Sequence, residues 1–207
     1  TSVMKLEQYG TTNEGRPLYV AFISSKENIE NLETIKSNNL TYAGLNNAVR
    51  KAPLLPNKTA IVWLSYNVHG NEPASSEAAL LTLESLVVKP NSTVNDWLKN
   101  VVIIIDPCLN PDGRDRYVNW YNNATGKNLN ADPQAREHQE PWPQGRTNHY
   151  NFDLNRDWAW QTQVESQQRI KKYNQWMPQI HVDFHEQGYN EPYYFAPAAE
   201  PFHEVIT

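Results

Sequence analysis

His69-Gly70-Asn71-Glu72 sets an imidazole and a carboxylate three residues apart, directly after the apolar run 60–68. Pro73 disfavours the helical conformation at Glu72, so both side chains belong to a turn. Gly70 gives that turn freedom to bend them toward one point. Two such donors can clamp a metal. Catalytic zinc sites use three protein ligands, two His and one Glu being one set, and leave a fourth position for water. The third donor must come from a distance, and His185 offers it at the end of a later strand pattern. A lone Cys108 can build neither an intrachain disulfide nor a thiolate metal site, so His, Asp and Glu are the ligand supply. HxxE pairs are common outside metal sites. What sets this one apart is its place at a strand end and the distant strand-end His. His181 shares the face of His185 and reads as a structural or solvated residue. Glu186 faces the other way along the strand and reads as structural rather than as a base.

A second chemistry sits in Asp153-Leu154-Asn155-Arg156. The planar fork of Arg156 suits a carboxylate, and Asn155 adds an amide donor. An ordinary surface salt bridge is the competing reading. Asn110-Pro111-Asp112-Gly113, taken alone, is a good turn sequence and nothing more.

The elements that must position these residues follow from the apolar pattern. Residues 17–24 read as a first strand after the turn signal Asn13-Glu14-Gly15, and residues 28–36 as a short polar helix. Residues 37–57, Asn-rich and broken by Pro53 and Pro56, read as a loop. The run 60–68 reads as a central strand covered on both faces, 74–88 as a helix behind Pro73, and 101–106 as a buried strand stopped by Pro107. A strand-helix-strand unit thus spans 60–106. Residues 108–152 show little periodicity and read as a long loop of the kind that carries function. A helix over 157–176 ends at Pro178, a strand over 180–185 alternates apolar and polar residues, and 193–196 reads as a further short strand. The alternation predicts an α/β fold of three layers, with a central mixed, mostly parallel sheet flanked by helices. Ligands of such sheets gather at the carboxyl ends of the strands, where His69 and His185 both fall if their strands run parallel.

Composition bounds the rest. A chain of 207 residues supports one core, so a single domain or part of one is expected. Its apolar runs are far shorter than the roughly 20 residues of a membrane span, and no membrane partner is expected. The opening Thr1-Ser2-Val3-Met4-Lys5 lacks a signal-peptide pattern, so an export signal was removed or never present. A net charge of -5 without a Lys/Arg block argues against nucleic acid as a partner. The Asn-X-Ser/Thr triplets at Asn39, Asn57, Asn91 and Asn123 would suit a secreted eukaryotic chain but mean nothing in a bacterial cytoplasm.

Taken in order, His69-Gly70-Asn71-Glu72, Asn110-Pro111-Asp112-Gly113, Asp153-Leu154-Asn155-Arg156 and Asp183-Phe184-His185 resemble the zinc carboxypeptidase family, the carboxypeptidase A type or peptidase family M14, with its related deacylases. Glu14-Gly15-Arg16-Pro17-Leu18 resembles that family's opening. The resemblance runs from about residue 8 to residue 197. It implies one zinc per chain held by His69, Glu72 and His185, with Asp153 accepting a hydrogen bond from the first ligand His. Asn155 and Arg156 match the pair that grips the free C-terminal carboxylate of a peptide. An upstream Arg that polarises the scissile carbonyl is assigned first to Arg146, with Arg136 and Arg116 as alternatives. The function implied is hydrolysis of the C-terminal peptide bond. The alternatives are an amidase or deacylase acting on cell-wall peptides or acyl-amino acids, and a non-catalytic carboxylate-binding module. Family habit places the protein outside the cytoplasm, secreted or periplasmic.

Two departures qualify the resemblance. The family's general-base Glu lies well downstream of the last zinc ligand, and Glu191, Glu200 and Glu204 come too early to match it. Residues 1–207 are therefore expected to be a partial catalytic domain with little activity of its own, and its exposed sheet edge is a setting for self-association. Asp157 stands where many members carry Asn, and the Trp-rich segment 117–142 is unusually long, leaving the substrate open.

Overall fold

The computed structural model describes residues 3–45 and 59–188. Five strands, β1 (Met4–Thr11), β2 (Pro17–Ile23), β3 (Ala60–Tyr66), β4 (Val101–Asp106) and β5 (Ile180–Phe184), form one sheet in the order β1-β2-β4-β3-β5. The helices are α1 (Lys26–Glu30), α2 (Leu32–Tyr42), α3 (Pro73–Leu83), α4 (Ser92–Leu98), α5 (Pro111–Ala124) and α6 (Val164–Trp176), with a π-helical turn at Glu84–Val88 extending α3. β3 pairs in parallel with both β4 and β5, while β2 runs antiparallel to β4 and to β1. Four of the five strands therefore share one direction, and β2 is the exception.

The β-branched run of β4 and the apolar run of β3 feed both faces of the sheet, as strands covered on two sides must. On one face Val20, Phe22, Ile61, Trp63, Val102 and Ile104 pack against Leu32 and Ile35 of α2 and Trp176 of α6. On the other, Ala21, Ile23, Tyr66 and Ile105 meet Ala79 of α3, Leu86 of the π-turn and Leu98 of α4. This is the three-layer α/β arrangement expected. The connection from β3 to β4 crosses one face, and that from β4 to β5 crosses the other and steps over β3. The carboxyl end of β3 is the point where the two connections part, the place where open α/β sheets form a crevice.

Several boundaries differ from the sequence reading. The strand over 17–24 is the second, because β1 precedes it as an edge strand whose Leu6 is exposed and whose alternation is weak. The single polar helix over 28–36 is two helices broken at Asn31, and α2 runs on through Tyr42 into the segment read as loop. Residues 108–152 are not one long loop. Asn110 caps α5 by accepting a hydrogen bond from the Gly113 N–H at 3.0 Å, with Pro111 in the first helical turn, so the turn sequence is a helix start. The last helix begins at Val164 rather than 157 because Asp157 stays outside it, accepting from the backbone N–H groups of Thr162 and Gln163, each at 2.9 Å. The short strand read over 193–196 and the carboxylates of Glu191, Glu200 and Glu204 lie outside the described residues.

Candidate metal centre

β3 is followed by Asn67, whose left-handed conformation (φ 56°) turns the chain out of the sheet. Its amide then braces the turn from inside, donating to the carbonyls of His69 at 2.8 Å and Glu72 at 2.9 Å. His69 and Glu72 are buried by this fold of the chain. Because β5 runs parallel to β3, His185, one residue past its end, arrives at the same edge of the sheet. One ligand atom from each of His69, Glu72 and His185 lies within 4.8 Å of the others.

The orientation of the rings is informative. His69 turns Nδ1 to Glu72 Oε1 at 2.8 Å and Nε2 to Asp153 Oδ1 at 3.1 Å. His185 turns Nδ1 to Glu72 Oε2 at 3.2 Å and Nε2 to Asp183 Oδ2 at 2.9 Å. Both imidazoles thus face the shared carboxylate with one nitrogen and are backed by a second carboxylate on the other. Two nitrogens and one carboxylate oxygen, each histidine supported from behind, is a donor set that fits zinc. Burial works against the charge on Glu72, but the hydrogen bond and positive potential of His69 prevail and hold its carboxyl below the usual range. Asp153 is likewise depressed, burial being outweighed by His69 and Arg146.

Of the three arginines considered for the carbonyl, Arg146 is the one brought to the cluster. It donates from Nε and Nη2 to Asp153 Oδ2 at 3.1 and 2.9 Å and turns Nη1 to within 3.4 Å of His69 Nδ1 and 3.9 Å of Glu72 Oε1. Arg116 instead braces the segment around Arg146, donating to the carbonyls of Gln144 and Asn148. Arg136 lies exposed on a short 3-10 turn (Arg136–His138). Asn155 and Arg156 sit on the 3-10 turn Leu154–Arg156, beside the metal cluster, with Asn155 Nδ2 3.3 Å from His185 Nε2. Arg156 is exposed and makes no ion pair among the described residues, which leaves its fork available.

The residues read as structural make contacts away from the His69–Glu72 turn's ligand atoms. His181 Nε2 lies 2.8 Å from Ser65 Oγ, and its ring sits against Trp158 and Tyr173. Burial lowers its pKa. Glu186 accepts from the Ser75 N–H at 3.2 Å at the start of α3. Asp112 does more than sit in a turn. Buried, it accepts from Thr12 Oγ1 at 2.7 Å, Arg16 Nη1 at 2.9 Å and the Glu14 N–H at 3.2 Å, anchoring the β1–β2 hairpin to the start of α5.

Three features escaped the sequence reading. Glu140 ties the turn at Asn71, whose Nδ2 donates to it at 2.9 Å, to the Gly145 N–H ahead of Arg146. Gly70, Gly113 and Gly145, from three separate segments, meet backbone to backbone: a Cβ on Gly70 would lie 2.1 Å from the Gly113 carbonyl carbon, and one on Gly113 2.2 Å from the Gly145 oxygen. The contact of Asp183 with His185 is the third, the residue having been read only as part of the Asp183-Phe184-His185 motif. Its signal was available, since a polar residue two before a strand-end His shares the face of that His.

The Peptidase_M14 family model, zinc carboxypeptidase, matches residues 1–185. A comparison with curated proteins finds no match. Among solved structures the chain is similar to a metallo-carboxypeptidase from Burkholderia cenocepacia, at 16% identity and a TM-score of 0.56, over 89% of this chain and 36% of that one. A Pseudomonas aeruginosa metallo-carboxypeptidase in complex with (2-guanidinoethylmercapto)succinic acid gives 16%, 0.53, 89% and 36%. Bovine thrombin-activatable fibrinolysis inhibitor in complex with tick carboxypeptidase inhibitor gives 16%, 0.55, 89% and 54%. At these identities the likeness is one of fold, and the chain spans little more than a third of the two bacterial proteins.

Proposed function

The chain belongs to the zinc carboxypeptidase family, and from that premise we propose that it carries the metal- and carboxylate-binding residues of a zinc hydrolase that releases the C-terminal residue of a peptide. The observation that supports this best is the pair of imidazoles facing one buried carboxylate, each backed by a second.

In this reading His69, Glu72 and His185 hold the zinc. When bound, the metal supplies Lewis-acid polarisation of the scissile carbonyl and activation of a water. Arg156 and Asn155 receive the terminal carboxylate of the substrate, and gripping that end fixes which amide bond lies over the cluster. Arg146, already aimed at the cluster by its two bonds to Asp153, offers N–H donors to the carbonyl oxygen as negative charge develops there. Asp153 serves both sides at once, one oxygen on His69 and the other on Arg146. A general base within reach of the water is the remaining requirement. Glu191, Glu200 and Glu204 do not match the family's position for it, so the 207 residues by themselves are expected to bind zinc and carboxylates and to turn over little peptide.

Zinc stoichiometry and affinity at neutral pH, with His185→Ala as the control, test the reading. One zinc held tightly by the wild type and lost in the variant is the expected result. Equal affinity in both would sink the ligand assignment. In the whole protein, Arg156→Ala should weaken peptides with a free C-terminus about 10- to 100-fold, the worth of one charged hydrogen-bonded pair. The same loss on amidated peptides would remove the carboxylate role.

A further inference from the structure

We propose that Trp158 is a positioning residue for the substrate: its indole N–H decides which end of the Asn155 amide faces the terminal carboxylate of a bound peptide. That role rests on the reading of Asn155 and Arg156 as the carboxylate grip.

The turn that carries both residues has little freedom of its own. Leu154 is fully buried and packs with Val68 and Leu109. The Asn155 N–H donates to Asp153 Oδ1 at 2.8 Å, and the Arg156 N–H donates to the Asp153 carbonyl at 3.0 Å. Buried Arg169 donates from Nη2 to the Leu154 carbonyl at 3.3 Å. With the backbone held in this way, what remains free at Asn155 is the rotation of its side chain.

A primary amide accepts through its oxygen at one end and donates through its nitrogen at the other. Toward a carboxylate the two ends are opposites. The nitrogen offers a hydrogen bond, whereas the oxygen sets lone pairs against an anion. Trp158 Nε1 lies 3.2 Å from Asn155 Oδ1, and an indole N–H has no acceptor capacity. Turning the amide over would set two donors against each other there. The oxygen is thus kept on the Trp158 side, and Nδ2 is turned toward the cluster, 3.3 Å from His185 Nε2.

The indole is itself clamped. The Arg169 guanidinium lies over the ring, 3.8 Å from its centroid, with the rings of His181 at 5.4 Å and Tyr173 at 6.3 Å beside it. Stacking uses the face of the guanidinium and leaves the N–H donors in its plane free for Leu154. One buried cation therefore holds both the backbone of the turn and the indole that directs Asn155.

Trp158→Phe keeps an aromatic face against Arg169 and removes the N–H. The whole protein, freed of metal so that no turnover competes, is titrated with N-acetylated dipeptides as free acids and as C-terminal amides, with binding followed by NMR. Trp158→Phe should weaken the acids about 3- to 10-fold, the worth of one neutral hydrogen bond. Affinity for the amides, and for zinc, should not change. In an Asn155→Ala background the same substitution should add nothing, because the group it directs is gone. A merely structural role for Trp158 would cost the same in both backgrounds. No loss, equal loss in both backgrounds, or equal weakening of the amides overturns the proposal. Should Trp158→Phe fail to fold, the hydrogen-exchange rate of the Trp158 indole N–H decides: slow in the wild type and faster in Asn155→Ala is expected, and equal rates overturn the contact. A wild type that binds acids and amides equally would overturn the carboxylate reading instead, while the exchange comparison would still show whether Trp158 directs the amide.

Discussion

His69 and His185 address the same carboxylate from opposite sides, yet they are mounted differently. His69 follows β3, an interior strand paired on both sides, with Ile61 and Trp63 fully buried. Past the strand, the backbone itself is held: Asn67 braces the turn, and the Leu109 and Asn110 N–H groups donate to the carbonyls of Tyr66 and Asn67, each at 3.1 Å. His185 follows β5, which among the described strands pairs with β3 alone and leaves Ile180 53% and Val182 38% exposed. Its ring is fixed by side chains, Glu72 on one nitrogen and Asp183 and Asn155 on the other. The interior histidine is placed by the fold and the edge histidine by its polar neighbours. Breaking the site at the interior end should therefore cost the fold more than breaking it at the edge.

The largest effects should come from the two histidines themselves. If roughly 10 kcal/mol of zinc binding is shared over three donors, losing either costs about 3 kcal/mol, a weakening of about 100-fold or more. The two variants should part in their metal-free stability. His69→Ala strips a partner from Glu72 and from Asp153 in a buried turn, at about 1–3 kcal/mol for polar groups left unpaired. His185→Ala, at an edge with 31% of its side chain exposed, should stay within about 0.5 kcal/mol of wild type. Chemical denaturation of both, without metal, measures the difference. Equal losses would mean that the edge is as much a part of the scaffold as the interior.

A second contrast lies one layer down. Ser65 of β3 stands in register between Asp106 of β4 and Asp183 of β5, so two carboxylates flank it across the sheet. The interior one, Asp106, is fully buried, with Oδ1 unpartnered and Oδ2 accepting from Tyr9 Oη at 3.1 Å. Burial pushes its pKa up to about 7, against the pull of Arg169. The folded protein then keeps a proton that the unfolded chain releases near pH 4. Between about pH 4 and 7 the native state binds more protons, so this group makes stability fall as pH rises through that window. Asp106→Asn removes the titration and keeps an oxygen for Tyr9. Its unfolding free energy relative to wild type should therefore climb from pH 4 to 7. A flat difference would mean that Asp106 is ionised in the fold, with Arg169 as its full counterion.

The same contrast explains what could be read from the sequence. β3 and β4 were legible because strands covered on both faces are written as near-continuous apolar runs. The His69, Glu72 and His185 cluster was legible because His69 and Glu72 follow such a strand and His185 follows a second one marked by its alternation of apolar and polar residues. β1 was not, since an edge strand needs little apolar patterning and its Leu6 faces out. α5 was missed for a related reason. Its residues are mostly polar, so the signal was the Asn110 cap and Pro111, which also make a turn sequence. Glu140 and the glycine junction join segments far apart in the chain, and no local pattern encodes a meeting of that kind.

That junction allows a last and smaller test of the interior mount. Gly70, Gly113 and Gly145 bring together the His69–Glu72 turn, the start of α5 and the segment that carries Arg146. A Cβ on Gly145 would lie 2.5 Å from the Gly113 oxygen and 2.7 Å from the Tyr117 Cβ, so the contacts are with backbone and helix rather than with a flexible side-chain end. Gly145→Ala should cost about 1–3 kcal/mol of stability, the usual penalty for overpacking. The strain falls on the Arg146 segment, whose partners are Asp153 and, through Glu140, Asn71. The three ligand residues come from other segments, so zinc affinity should change far less than in either histidine variant. A Gly145→Ala protein that folds with full stability would show that the three segments separate freely, and that Arg146 is placed by Asp153 alone. A loss of zinc as large as in His69→Ala would instead make the junction part of the metal turn itself, extending the rigid end of the site from β3 to the whole loop cluster above it.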